Sequence, residues 1–133
     1  MTAEPGDFDF DANWLVVQGL ANDGARPWSF RDPSLLTTDV RRLVAWLEAV
    51  ADDRPEDEAI DFMEPNLEFR RVSPPGAQPI VRVIFRLESR PPWAPDVAEE
   101  DWDNAYLDFD TSPDALRVAA NELRTELDRY PER

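Results

Sequence analysis

The sequence predicts an α+β fold, a twisted antiparallel sheet of about six or seven strands with one mid-chain and one C-terminal helix packed on it. Three observations lead there. Val40 to Val50 and Leu116 to Leu127 repeat apolar residues at helical spacing. Several other short runs alternate in hydropathy or are rich in β-formers. Pro- and Gly-bearing turns punctuate the runs. The chain has 133 residues and a mass of 15.3 kDa, which suits one domain over residues 1–133. Hydrophobic residues make up 42% of it, including five Trp and seven Phe, enough for a proper core.

In chain order, Phe8 and Phe10 alternate with Asp7, Asp9 and Asp11, the pattern of a half-exposed strand. Residues 13–19 are apolar on both faces and predict a buried strand. Trp28 to Phe30 is a shorter strand that ends at Asp32-Pro33. Thr37 or Thr38 then caps the first helix, with Asp39 in its first turn. Val40, Leu43, Val44, Leu47 and Val50 form its apolar stripe, and the acidic stretch from Asp52 with Pro55 stops it. Ile60 with Phe62 and Leu67 with Phe69 are two short alternating runs broken at Glu64-Pro65. Residues 80–88 form the best strand, with Val81, Val83, Phe85 and Leu87 on one face and Arg82, Ile84, Arg86 and Glu88 on the other. The turn Ser73 to Pro79 makes a long-looped hairpin with the preceding run. Tyr106 to Asp110 alternates again. Ser112 as N-cap and Pro113 at the first position open the last helix, whose stripe is Leu116, Ala119, Ala120, Leu123 and Leu127, continued by Tyr130 and ended by Pro131.

Missing residue types exclude most small-domain chemistry. Cys, His and Lys are absent, so all 14 basic residues are Arg. Nucleophile–imidazole catalysis, Schiff-base chemistry and thiolate or imidazole zinc sites therefore have no side chains to use. Four Gly in the whole chain leave no phosphate-cradling loop. The start of the chain carries no export pattern and no run reaches the roughly 20 apolar residues of a membrane span, so a soluble cytoplasmic protein is expected. No cofactor and no metal is expected.

The net charge is −15, and its distribution is uneven. Residues 1–11, 52–61 and 96–103 hold 15 acids and one Arg, whereas the other 104 residues hold 14 acids and 13 Arg. The body is thus balanced and the excess sits in terminal or connecting stretches. One reading is solubility alone. The other is a surface for a basic partner, where opposite potentials speed association. Nucleic acid is disfavoured, because this field repels phosphate.

Three motifs bear on chemistry. Asp7-x-Asp9-x-Asp11 resembles a calcium loop, but Ala12 stands where the sharp turn needs Gly and Gln18 where a bidentate Glu is needed. Glu64 and Glu88 flank the strongest hairpin and make a carboxylate-based hydrolase the alternative to a binding protein, with cross-strand pairing to Arg as the structural reading of Glu88. Between Pro91 and Asp103 the loop sets Trp93 and Trp102 among five acids. Trp93 after two prolines reads as a plug over the sheet edge, and Trp102 between Asp101 and Asp103 as a contact residue.

Asn13-Trp14-Leu15, Trp28 with Asp32-Pro33, the helix with Trp46-Leu47, the run from Phe62 to Phe69, the run from Glu88 to Trp93 and the closing Leu127 to Pro131 occur in that order. This set resembles the WapI-like family of small bacterial proteins, some of them labelled immunity proteins to polymorphic toxins. The likeness spans nearly the whole chain, and its most specific pieces are Glu64-Pro65-Asn66-Leu67 and Pro91-Pro92-Trp93. It implies an intracellular protein that binds and neutralises a cognate toxin, often a nuclease domain, by occlusion; it carries over no catalytic residue. The contacts are expected on Asp96, Glu99, Glu100, Asp101, Trp102 and Asp103, then on Asp53, Glu56, Asp57 and Glu58. An acidic structural or regulatory domain without a toxin partner is the third reading.

Overall fold

The computed structural model describes residues 14–22, 24–54, 58–62, 64, 66–93 and 103–130. Strand β1 (Trp14–Asn22) and strand β2 (Pro27–Leu36) form an antiparallel ribbon. Its turn is set locally: Gly24 has φ +96°, and its N–H donates to the Asn22 side chain at 2.7 Å. The expected stop at Asp32-Pro33 does not occur. Pro33 pairs with Val16 beside a register shift between Leu15 and Val16. A bulge in a ribbon whose strands are both edges accommodates a residue with no N–H.

Helix α1 (Thr37–Ala51) begins one residue earlier than a Thr cap requires. Leu36 is the cap, and its N–H donates to the Asp39 carboxylate at 2.9 Å. That is the returning half of a capping box, so no cap hydroxyl is needed. At the other end Asp53 N–H donates to Val50 at 3.0 Å and Arg54 N–H to Ala49 at 2.8 Å. Those two bonds close a Schellman turn with Asp53 in the left-handed region at φ 57°. The expected stripe is buried, and Trp46 is buried with it.

Strands β3 (Ala59–Ile60), β4 (Leu67–Arg71), β5 (Ile80–Phe85) and β6 (Tyr106–Asp110) form an antiparallel sheet in that spatial order. The architecture is therefore α+β, but among the described residues it has two sheets, of two and four strands, where a single larger sheet was expected. Alternation reveals which residues share a face and leaves open which strand edges meet. Strand β5 also ends early, at Phe85, and Leu87–Ser89 form a 3-10 turn with Leu87 at φ 53°. Ser89 turns the chain there: its Oγ accepts from Arg86 N–H at 3.0 Å and donates to the Asn66 carbonyl at 2.5 Å. Helix α2 (Pro113–Leu127) follows, with Ser112 accepting from Ala115 N–H at 3.0 Å. Tyr130 lies past its end and is exposed, so it does not continue the stripe.

The register puts Leu67, Phe69, Val81, Val83, Phe85, Leu107 and Phe109 on one face of the four-stranded sheet. Both helices cover the Val81 end of that face, in a core with Leu43, Leu47, Leu116 and Ala120. The ribbon covers the Phe85 end through Trp28 and Phe30. Arg117 pairs with Asp52 at 2.9 Å, and Arg124 with Glu48, which ties α2 to α1.

Candidate functional site

The opposite face of the sheet carries charge. Glu68 and Arg70 of β4, Arg82 of β5, and Asp108 and Asp110 of β6 share it by alternation, and Arg86, just past the end of β5, joins them through its ion pairs. Arg86 donates through Nε to Asp103 at 3.2 Å and through Nη1 to Glu68 at 3.3 Å. Arg70 donates through Nη2 to Asp103 at 3.0 Å, and its Nε bonds Glu68. Two guanidinium groups and two carboxylates thus close a neutral ring, in which the Arg86 and Glu68 side chains are only 10% and 9% exposed and that of Asp103 is 50% exposed. Beside it Arg82 grips Asp108 with two bonds of 2.8 and 3.0 Å and lies 3.9 Å from the Tyr106 ring centroid.

These pairs perturb the acids in one direction. The Arg86 hydrogen bond, and then the charges of Arg86 and Arg70, hold the Asp103 carboxyl below the ordinary value of 3.8. The bond from Arg82 does the same for Asp108, and the bond from Arg71 for Asp53. A carboxyl whose folded pKa is depressed contributes stability that is present above its unfolded pKa and lost as pH falls through the folded value. The melting temperature is therefore expected to hold from neutral pH and to drop below about pH 5. Asp103→Asn and Asp108→Asn should each flatten that acid limb in thermal unfolding followed against pH. A decline that begins near neutrality would assign the limb to other groups.

Three of the acids expected as contacts fall within the described residues. Asp103 belongs to the ring above. Asp53 caps α1, accepts the Gly76 N–H at 2.9 Å, and pairs with Arg71, whose side chain is 5% exposed. The Arg71 guanidinium also reaches the carbonyls of Pro74 and Ala77 at 3.3 Å each, so the pair pins the β4–β5 turn to the helix end. Glu58 is exposed, and its carbonyl accepts the Arg71 N–H at 2.7 Å. Asp53 and Glu58 thus stand at one end of β4. Asp103 binds Arg70, which points to the opposite face from Arg71. Glu56, Asp57, Asp96, Glu99, Glu100, Asp101 and Trp102, and the Asp7–Asp11 stretch, lie outside the described residues. Those outside hold 12 of the 29 acids and one Arg; the described ones hold 17 acids and 13 Arg.

Glu64 is exposed in the connection before β4, and Glu88 sits in the 3-10 turn. The two segments adjoin, since the Asn66 carbonyl accepts the Arg86 N–H at 2.8 Å. Among the described residues no group of three or more carboxylates is placed to hold a metal ion. No helix among them is long and apolar enough to cross a membrane. Sequence reasoning missed the ring. The available signal was the spacing of Glu68 with Arg70, two residues apart and so on one face of β4.

A second feature is apolar. Between β6 and α2 the sheet face opens into a cleft of about 570 Å³, floored by Phe69, Val83 and Phe109, walled by Ala119 and Leu123, and rimmed by Glu122 and Glu126. Arg117 and Arg124 of the same helix reach instead to α1. The cleft side of α2 therefore presents only acids at its rim.

The family model for immunity proteins of the WapI-like type matches residues 2–131. The chain belongs to the WapI-like immunity protein family. No curated protein and no solved structure matches it. In this WapI-like chain three of the segments that carried the resemblance, those holding Trp28, Asn66 and Ser89 to Trp93, meet at one junction, while Trp46, Leu47 and Leu127 pack in the helix core. Trp28 Nε1–H donates to the Ser89 carbonyl at 3.0 Å. Its ring stands edge-on to Phe85 and Trp93, at centroid distances of 5.1 and 5.6 Å. Asn66 and Ser89 are fully buried alongside. Trp93 carries Arg26 over its ring at 4.2 Å and remains 37% exposed. These WapI-like segments hold the ribbon onto the sheet.

Proposed function

We propose that the protein neutralises a basic toxin domain in the cytoplasm by occlusion, without chemistry of its own and without a cofactor. Membership of an immunity family supports the toxin-binding half of this reading. The observation that carries the basic character of the partner is the partition of charge. Among the described residues 13 guanidinium groups stand against 17 acids, so most of the excess lies on segments outside them. The first-choice contacts remain Asp96, Glu99, Glu100, Asp101, Trp102 and Asp103, with Asp53, Glu56, Asp57 and Glu58 next to them in rank. Asp53 and Asp103 also hold structure, so their replacement mixes two effects.

The clean test leaves both in place. A partner captured from native cells with the intact protein as bait is measured against Glu99→Gln, Glu100→Gln and Asp101→Asn combined. The association rate at low salt is expected to fall by about tenfold or more, with a shallower salt dependence and little change in dissociation. An unchanged on-rate discards this placement. A captured partner that is acidic, or cells that survive the partner's expression without this protein, discards the reading.

A further inference from the structure

The four-stranded sheet ends at β6, and among the described residues nothing pairs with its outer edge. Phe85 N–H donates to Ala105 at 2.8 Å and Thr111 N–H to Pro79 at 3.0 Å, and these bonds bracket the ladder. By the antiparallel alternation, residues 107 and 109 turn their N–H and C=O toward β5, and Tyr106, Asp108 and Asp110 turn theirs outward. The strand is open to solvent, with Tyr106 46% and Phe109 44% exposed. Its two faces differ in chemistry. On one side lies the apolar cleft under Phe109, and on the other stand Asp108 and Asp110.

We propose that this edge takes up an extended segment of a basic partner as a fifth strand, placing alternate apolar side chains in the cleft and an Arg or Lys side chain beside Asp110, since Asp108 is already held by Arg82 at 2.8 and 3.0 Å. Main-chain bonds supply the affinity in such strand addition and the alternating side chains supply the choice. Acids on an open edge ordinarily block pairing with like chains. Here they also select, because they repel an acidic strand and attract a basic one. A second copy brings its own charge of −15, and the chain's own residues 1–11 bring four acids and no Arg, so neither suits the edge. The proposal rests on the toxin-binding reading only for the identity of the partner.

The test needs no toxin, so it can fail independently of that reading. The probe is a short synthetic peptide of alternating Leu and Arg, titrated into the intact protein and followed by amide shifts and anisotropy. Shifts should concentrate at Tyr106, Asp108 and Asp110. Asp110→Arg should weaken binding by about tenfold and Glu64→Arg, an equal charge change elsewhere, by less than about twofold. Phe109→Ser, a second edge variant, should weaken it as well. A peptide N-methylated at alternate residues, with charge and composition kept, should bind at least about tenfold more weakly in one of its two methylation registers. Equal loss for Asp110→Arg and Glu64→Arg, or undiminished binding of both N-methylated registers, overturns the proposal. So does slow amide exchange at Asp108 and Asp110 in the free protein that depends on concentration, which assigns the edge to a second copy. Slow exchange that vanishes when residues 1–11 are deleted assigns it to the chain's own segment.

Discussion

Trp28→Ala is expected to lower the unfolding free energy by about 3–5 kcal/mol, the range for deleting a large buried aromatic side chain. Trp28 is 7% exposed, joins the ribbon to the sheet, and touches Phe85 and Trp93 edge-on. The other ribbon residues packed there are Ala21, which is small, and Phe30, whose ring centroid stands 6.1 Å from that of Phe85. Trp28→Phe separates the two contributions. It keeps most of the ring contact and leaves the carbonyl of fully buried Ser89 without its donor, a loss of about 1–3 kcal/mol. Urea unfolding of the three proteins checks both numbers. A Trp28→Ala variant as stable as the parent would mean that the ribbon is not held at this junction.

Glu68→Ala should be the second large effect, at about 2–4 kcal/mol. Its carboxylate serves two guanidinium groups, and that of Arg86 is nearly buried. Removing it leaves a charge inside the sheet face with Asp103 as its remaining acid, which places the cost below that of an entirely unpaired ion. Replacing Glu68 and Arg86 together by Met should cost less than the sum of the single replacements, because the pair disappears with its desolvation penalty. The double-mutant cycle in urea gives the coupling directly. Additive losses would show that Glu68 and Arg86 contribute no coupling energy.

The helices were legible in the chain because their signals are local. A stripe of Val40, Leu43, Val44, Leu47 and Val50, and the Ser112-Pro113 start, need no distant partner to be read. The best strand was legible in its faces but not in its end. Residues 80–85 alternate as expected, whereas Leu87–Ser89 leave the strand because Ser89 bonds Asn66, a residue 23 positions away. The family was legible for a different reason. The segments around Trp28, Asn66, Ser89 and Trp93 converge in space, and a junction that tight tolerates few residue types.

The candidate site was legible only as composition. An acid at position 103 or 53 looks the same in the chain whether water or a guanidinium group faces it. Arg70 and Arg71 are neighbours in sequence, yet they bind Asp103 and Asp53 from opposite faces of one strand. No count of charge along the chain separates those two cases.

Composition and periodicity alone settled the α+β class, the two helices, and the chemistry that a chain without His, Cys or Lys lacks, since each depends on residue type or short-range spacing. The division into a ribbon and a four-stranded sheet, the neutral ring under Asp103, and the open edge at β6 arose only when strands distant in sequence met. Pairing across a sheet is chosen by register and twist among non-local partners, and those terms have no signature in any single stretch of chain.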